Sequence, residues 1–541
     1  MPDGKFESLN ANNAIVFRVV FYSGALTLFT LAALTFLRRW DSIWNFLKQF
    51  WVDACIFLRP LWPARQEWLS LLALIMAMGL AVVLRLEYIF SSLHHDEAYT
   101  YMAFAHSLRV AITDYHLPNN HVFHSILVYL STQIIGGQPW AVRLPAFIAG
   151  ISLVPAVYVL GKRLYDRWVG LGAVLLVTMS PALIGYSTNA RGYSLVAFFS
   201  LLIFTLGDKV REERNLFAWG LISIFSALGF YTVPVMMFPF GILFVWLFLE
   251  NQLSIPKAYR SKWNFLLHWF ISGTAAAILT LLLYLPVMIY SGPQKLFANE
   301  FVAPAAWEDL FNVYSSRLGR TWSEWTNRVP GILILSLVIG LFLGLVFHKR
   351  LSSRRVPLQL AALLWIIFLL IVQRPQAGSK VWVFLLPLAL LWASAGIFGL
   401  LGLMKLKSIP FSALAVGLVF IAVLGRAALL LPQLPELWSV RGDEENAVSF
   451  VESQLQADDK LVVAPPDDAP VWYYAELHGI YAALYMPESD FARLFVLVNP
   501  DEGQTPASVL EARGPGQESA TSCNLLEIFG KIQVFDCQES P

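Results

Sequence analysis

Long runs of apolar residues, broken at short intervals by clusters of charge, dominate the chain from residue 14 to residue 431. A helix needs about 17 to 25 such residues to cross the hydrocarbon core of a bilayer. On that measure the runs at 14–37, 68–90, 143–161, 169–186, 192–207, 215–232, 233–250, 264–290, 329–347, 356–372, 381–403 and 409–431 are predicted spans, about a dozen in all. The break at Tyr231–Pro234 is the weakest of the boundaries. The first run reads as a span and not a cleaved signal peptide, because its apolar core is long and no small-residue cleavage site follows before Arg38-Arg39. After Pro432 and Pro435 the pattern turns soluble. It predicts helices at 443–456, 469–479 and 505–513, strands at 460–464 and 491–498, and strand material at 525–535. The fold class is therefore a polytopic α-helical membrane protein with a small C-terminal α/β domain. Its parts are 1–67, 68–431 with a long loop at 91–142, and 432–541.

Composition agrees. Of 541 residues, 57% are hydrophobic and 14% charged, against roughly a quarter charged in a soluble protein. The net charge of +1 says nothing about nucleic acid, because the positive charges are dispersed in short clusters between apolar runs, and no nucleic-acid partner is expected. Lys and Arg concentrate in alternate loops, among them Lys162, Arg163 and Arg167, then Lys209, Arg211 and Arg214, then Lys349, Arg350, Arg354 and Arg355. These mark the cytoplasmic side. The loop 91–142, the loop 291–328, the short loop 373–380 and everything after 432 then face outward. Residues 40–59 mix Trp40, Trp44 and Trp51 with spaced charges, the pattern of a helix lying in the cytoplasmic interface. Cys523 and Cys537 both fall in the outer tail, where a disulfide persists, although two free thiols fit the spacing as well.

Chemistry concentrates at Ser92-Leu93-His94-His95-Asp96-Glu97, where a span ends and the long loop begins. Adjacent carboxylates at a membrane boundary are costly and point to function. The bland alternative is helix capping, since a first turn exposes unpaired N–H groups and a positive dipole end. Six of the nine histidines lie between 94 and 124. That density makes His94 and His95 candidate ligands for a divalent metal, yet no recognised ligand spacing is present. Arg143, Arg191, Arg374 and Lys380 sit near the outer mouth against the positive-inside trend. Snorkelling to lipid headgroups explains such residues singly; an excess of them fits a polyanionic ligand, because guanidinium binds phosphate bidentately. The tail has no glycine-rich phosphate loop and no nucleophile motif, so it reads as a scaffold or acceptor-binding module.

The order of these features resembles the GT-C superfamily of polyprenyl-phosphate-sugar-dependent glycosyltransferases, nearest to protein O-mannosyltransferases and lipid A aminoarabinose transferases. The resemblance rests on Asp96-Glu97, Asn120-His121, Arg143-Leu144-Pro145 and Ser180-Pro181 through Tyr186-Ser187 to Ala190-Arg191-Gly192-Tyr193. It covers about residues 68–205, and more loosely 68–431. The chain departs from the pattern in its additional first span, and in Asn119-Asn120-His121 where relatives often have Pro-Pro or a lysine. The resemblance implies inverting transfer of a sugar from a polyprenyl phosphate to a lipid, glycan or protein hydroxyl, at the outer side of a bacterial inner membrane. It assigns Asp96 as base, with Glu97 orienting it or binding sugar. Arg191, Lys380, Arg374, Arg143, His121, Asn120 and Tyr193 then serve the carrier phosphate or the donor. Asp96 and Glu97 are a poor glycosidase pair, since neighbouring residues point in different directions. A lipid flippase or transporter would show repeats and mid-membrane charges, and no repeat is evident. A ligase using a lipid pyrophosphate differs only in its donor.

Overall fold

A computed structural model describes residues 40–58, 68–253, 258–297, 304–403, 425, 442–486, 491–515 and 522–538. The predicted spans at 14–37 and 409–431 lie outside the described residues. The other predicted spans fall on helices, but not all of these helices are long enough to cross a membrane. Among the described residues five are long and apolar enough: Trp68–Ile89, Pro139–Leu164, Tyr193–Glu212, Pro234–Leu253 and Lys262–Tyr290. Two bent pairs raise the number to seven. Leu216–Thr232 and Leu358–Gln373 are apolar but shorter. The dozen is not reached on this measure, in part because continuous apolar composition hides breaks. The run at 169–186 is two helices bent by 65°. There the Ser180 hydroxyl caps the second helix and Pro181 opens it, where a missing N–H costs nothing.

The chain divides into two compact units. The first comprises residues up to 85, 112–124 and 146–428. Within it the apolar helix Gly331–Val346 lies against Leu385–Leu403 through glycine. A Cβ at Gly344 would lie 2.6 Å from the Trp392 carbonyl oxygen, and one at Gly396 would lie 1.8 Å from that of Gly340. Backbones this close are the usual adhesive of membrane helices, where lipid and side chain are equally apolar. Gly344→Val is expected to cost about 1–3 kcal/mol through overpacking, read as a lower thermal midpoint of the full chain in nanodiscs.

Several arginines of the basic loops pair with buried acids. Asp208, fully buried, receives Arg163 Nε at 2.9 Å and Arg354 Nε at 2.5 Å. Glu250, also fully buried, pairs with Arg211 at 2.6 Å and accepts the Val356 N–H at 2.6 Å. Both sets satisfy the rule that a buried charge survives only when paired and hydrogen-bonded. Trp40–Leu58 is a helix as the pattern predicts, with Trp44 and Trp51 exposed. Its buried Asp53 caps the Leu216 N–H at 2.7 Å.

The second unit comprises residues 86–111, 125–145 and 429–541. Its sheet has strands β1 Lys460–Val463, β2 Leu494–Val498, β3 Ser522–Phe529 and β4 Ile532–Gln538, in the order β1-β2-β4-β3. β1 and β2 run parallel, whereas β2–β4 and β3–β4 are antiparallel. The central strand β2 is buried on both faces and reads Leu-Phe-Val-Leu-Val, the continuous apolar run expected there. The strand material at 525–535 resolves into a hairpin that turns at Gly530-Lys531, where Gly530 takes φ +52°. Cys523 and Cys537 face each other across this hairpin and form the disulfide. Helix Asp468–Leu477 is buried almost all round, as a core helix must be to hold Trp472, Tyr473 and Tyr474.

Candidate functional site

The two acids of the long loop lie in the second unit, at the start of the short helix His95–Thr100, and their environments differ. Glu97 is fully buried. Its two oxygens accept Arg143 Nε and Nη2, each at 2.8 Å, and Oε2 also accepts the His94 N–H at 3.0 Å. The remaining Arg143 donors reach the carbonyls of Ile89 at 3.1 Å, Ser92 at 2.8 Å and Ser91. This is a bidentate guanidinium–carboxylate pair with its spare protons satisfied, the arrangement that makes a buried ion pair tolerable. Capping, the bland reading of the acidic pair, is thus what Glu97 does. Asp96 is only half-buried, in the first turn, with its carbonyl accepting from the Thr100 hydroxyl at 2.7 Å.

The first unit gathers a different group. Arg191 is buried at the bend before helix Tyr193–Glu212, and its Nη2 donates to Asn119 Oδ1 at 3.2 Å. The Gly192 N–H donates to Nδ1 of the buried His121 at 2.9 Å. A neutral ring that accepts at Nδ1 carries its proton on Nε2, and that nitrogen lies 3.4 Å from Arg191 Nη2. Burial first, then the charges of Arg191, His124 and Lys380, hold His121 well below the usual imidazole pKa. An N–H donor and a guanidinium therefore face one another, both able to donate to an anion. Gly192 has to be glycine here: a Cβ would meet Thr232 Cγ2 at 2.4 Å and the His121 ring at 3.3 Å. The Tyr193 ring packs edge-on against His121 at 4.9 Å. It also lines an open cavity of about 370 Å³ with Tyr186, Asn189, Glu324, Arg328 and Lys380.

The structure so brings together His121, Arg191 and Tyr193, with Lys380 close enough to act on His121. It pairs Arg143 with Glu97 instead. Asn120 binds the Asp114 carbonyl at 2.7 Å and so shapes the loop before His121. Arg374 adopts φ +47°, exchanges two backbone-directed bonds with Ala305 at 2.8 and 2.9 Å, and covers the Trp307 ring at 4.7 Å. Among the described residues no group of three or more His, Cys, Asp or Glu side chains gathers as a metal site requires. His95 Nδ1 meets the Pro466 carbonyl at 2.8 Å and Asp468 at 3.4 Å, and Asp468 holds its pKa above the usual value. Of the cavity lining only Tyr193 and Lys380 are expected site residues; Tyr186, Glu324 and Arg328 are not. Tyr186 donates to Glu324 and also meets the Ser379 hydroxyl at 3.3 Å, and Arg328 takes φ +60°. Tyr186 has a signal in its place in the Ser-Pro to Arg-Gly-Tyr stretch, and Arg328 in the excess of basic residues near the outer face.

Residues 121–290 match the family model described as dolichyl-phosphate-mannose-protein mannosyltransferase. Among solved structures the chain is similar to ArnT from Cupriavidus metallidurans bound to undecaprenyl phosphate, at 11% identity, covering 87% of this chain and 98% of that chain with a TM-score of 0.51. The apo state of that protein matches at 12% identity, 88% and 98% coverage and a TM-score of 0.51. The archaeal oligosaccharyltransferase AglB from Archaeoglobus fulgidus, in complex with an inhibitory peptide and a dolichol-phosphate, matches at 12% identity, 88% and 74% coverage and a TM-score of 0.49. Among curated proteins no sequence matches. Residues 121–290 thus match a glycosyltransferase family model, and the chain shares the fold of ArnT and carries helices long and apolar enough to cross a membrane.

Proposed function

We propose that the chain transfers a sugar from a polyprenyl monophosphate to an acceptor hydroxyl, with inversion, at the outer side of a bacterial inner membrane, and that it spans that membrane about a dozen times. Asp96 is the base. The acceptor oxygen attacks the anomeric carbon opposite the phosphate and its proton passes to the Asp96 carboxylate. The anomeric C–O bond breaks, and its electron pair leaves on the phosphate. That growing charge is met by Arg191, the Nε2–H of His121 and Lys380. One observation carries the assignment: Glu97 is fully buried and clamped by Arg143, whereas its neighbour Asp96 is only part-buried. Arg143 accordingly holds the loop and leaves the phosphate to the His121–Arg191 group. The acceptor belongs to the lipids, glycans or proteins of the cell envelope.

Binding of undecaprenyl phosphate to the full chain in nanodiscs tests the phosphate site. Arg191→Ala is expected to weaken it roughly ten- to hundredfold, the worth of hydrogen bonds to a charged group. Unchanged affinity removes Arg191 from the site. Turnover with a lipid pyrophosphate donor, and none with the monophosphate, replaces this reading with a ligase.

A further inference from the structure

The second unit raises a question that the chemistry above leaves open, namely why a C-terminal domain without a motif of its own is retained. Its polar contacts converge on the residues that flank Asp96. His95 Nδ1 lies 2.8 Å from the Pro466 carbonyl and 3.4 Å from Asp468 Oδ1. Two acceptors at one ring nitrogen require the proton to sit there. Pro466 lies in the turn leaving β1 and Asp468 opens the helix Asp468–Leu477, where it is held by the Ala469 N–H at 2.9 Å and Arg513 at 3.5 Å. The Leu93 N–H reaches the Tyr474 hydroxyl at 3.3 Å. A Cβ on Gly442 would lie 2.0 Å from the Ser92 hydroxyl, so backbone presses on the loop there too. From the same helix as Tyr474, the Tyr473 hydroxyl donates to the Gly137 carbonyl and its ring meets Tyr101 edge-on at 5.5 Å.

We infer that the C-terminal α/β domain is a working part of the acid-bearing loop, and that His95 is a positioning residue through which Asp468 and the Pro466 carbonyl set the place of Asp96. This rests on the reading of Asp96 as base. The residues on both sides of Asp96 are fixed by directional bonds: His95 by the domain, Glu97 by Arg143. Asp96, between them, is only part-buried. A base held this way has its approach to the acceptor set by contacts that never touch substrate, and a displacement of about 1 Å is enough to cost about a hundredfold in rate.

The test uses the full chain in nanodiscs with His95→Ala, His95→Gln and Asp468→Asn, read by transfer kinetics and by amide exchange over residues 95–105. His95→Ala is expected to lower kcat roughly ten- to hundredfold with donor KM within about twofold, and to speed exchange of the loop. His95→Gln, which keeps an N–H for the Pro466 carbonyl, recovers at least half of the lost rate. Should His95→Ala fail to fold, Asp468→Asn carries the same comparison from the other partner. Unchanged exchange in both variants overturns the inference, as does faster exchange with unaltered kcat. Asp96→Asn, run alongside, separates the two ideas: retained transfer there removes the base, while the exchange data still report whether the domain holds the loop.

Discussion

Asp96→Asn is expected to abolish practical turnover, lowering kcat by about a hundred- to ten-thousandfold, the usual worth of a general base, while donor KM stays within about twofold. The substitution is nearly isosteric at a half-buried position, so the thermal midpoint should hold. The check is a transfer assay across polyprenyl-phosphate hexoses and pentoses, with binding of undecaprenyl phosphate measured in parallel. A variant that binds the carrier and does not turn over has lost the proton acceptor. A variant that turns over normally shows that the acceptor hydroxyl gives its proton elsewhere.

The largest loss of stability should come from the neighbouring pair. Arg143→Met leaves the Glu97 carboxylate buried without its guanidinium, and strips donors from the carbonyls of Ile89, Ser91 and Ser92. Breaking a buried pair by removing one partner costs about 3–5 kcal/mol, because the charge left behind has no solvent to return to. A fall in thermal midpoint in nanodiscs is expected, larger than for Glu97→Gln, which keeps an amide oxygen for the guanidinium. Carrier affinity in whatever Arg143→Met protein remains folded should match that of the parent chain. A selective loss of undecaprenyl phosphate binding with unchanged stability would return Arg143 to the phosphate site.

The helices were legible because a bilayer demands long apolar runs, and the composition obliges. What composition conceals is interruption, as at Ser180-Pro181, where both sides stay apolar while the axis turns. The pattern of the soluble tail predicts its helices and first two strands, but merges the hairpin at Gly530-Lys531 into one segment, since Gly-Lys lacks the strength of an Asn-Gly turn signal. At the site, residue types were legible and partners were not. The Glu97–Arg143 bond joins positions 46 apart, and the proton placement on His121 depends on a glycine 71 residues away. No local pattern encodes either. The two histidines before Asp96 suggested metal by number alone, whereas His95 is bound through a turn in the C-terminal domain.

The arginines that meet Asp208 and Glu250 serve at two different times. While the chain is being inserted, Arg163, Arg211 and Arg354 are bare charges on short loops, of the kind whose bias sets orientation. Once the helices assemble, the same side chains are engaged by carboxylates that have no exposure to solvent. The side chains that carry charge in the basic stretches thus also tie neighbouring helices together in the folded chain.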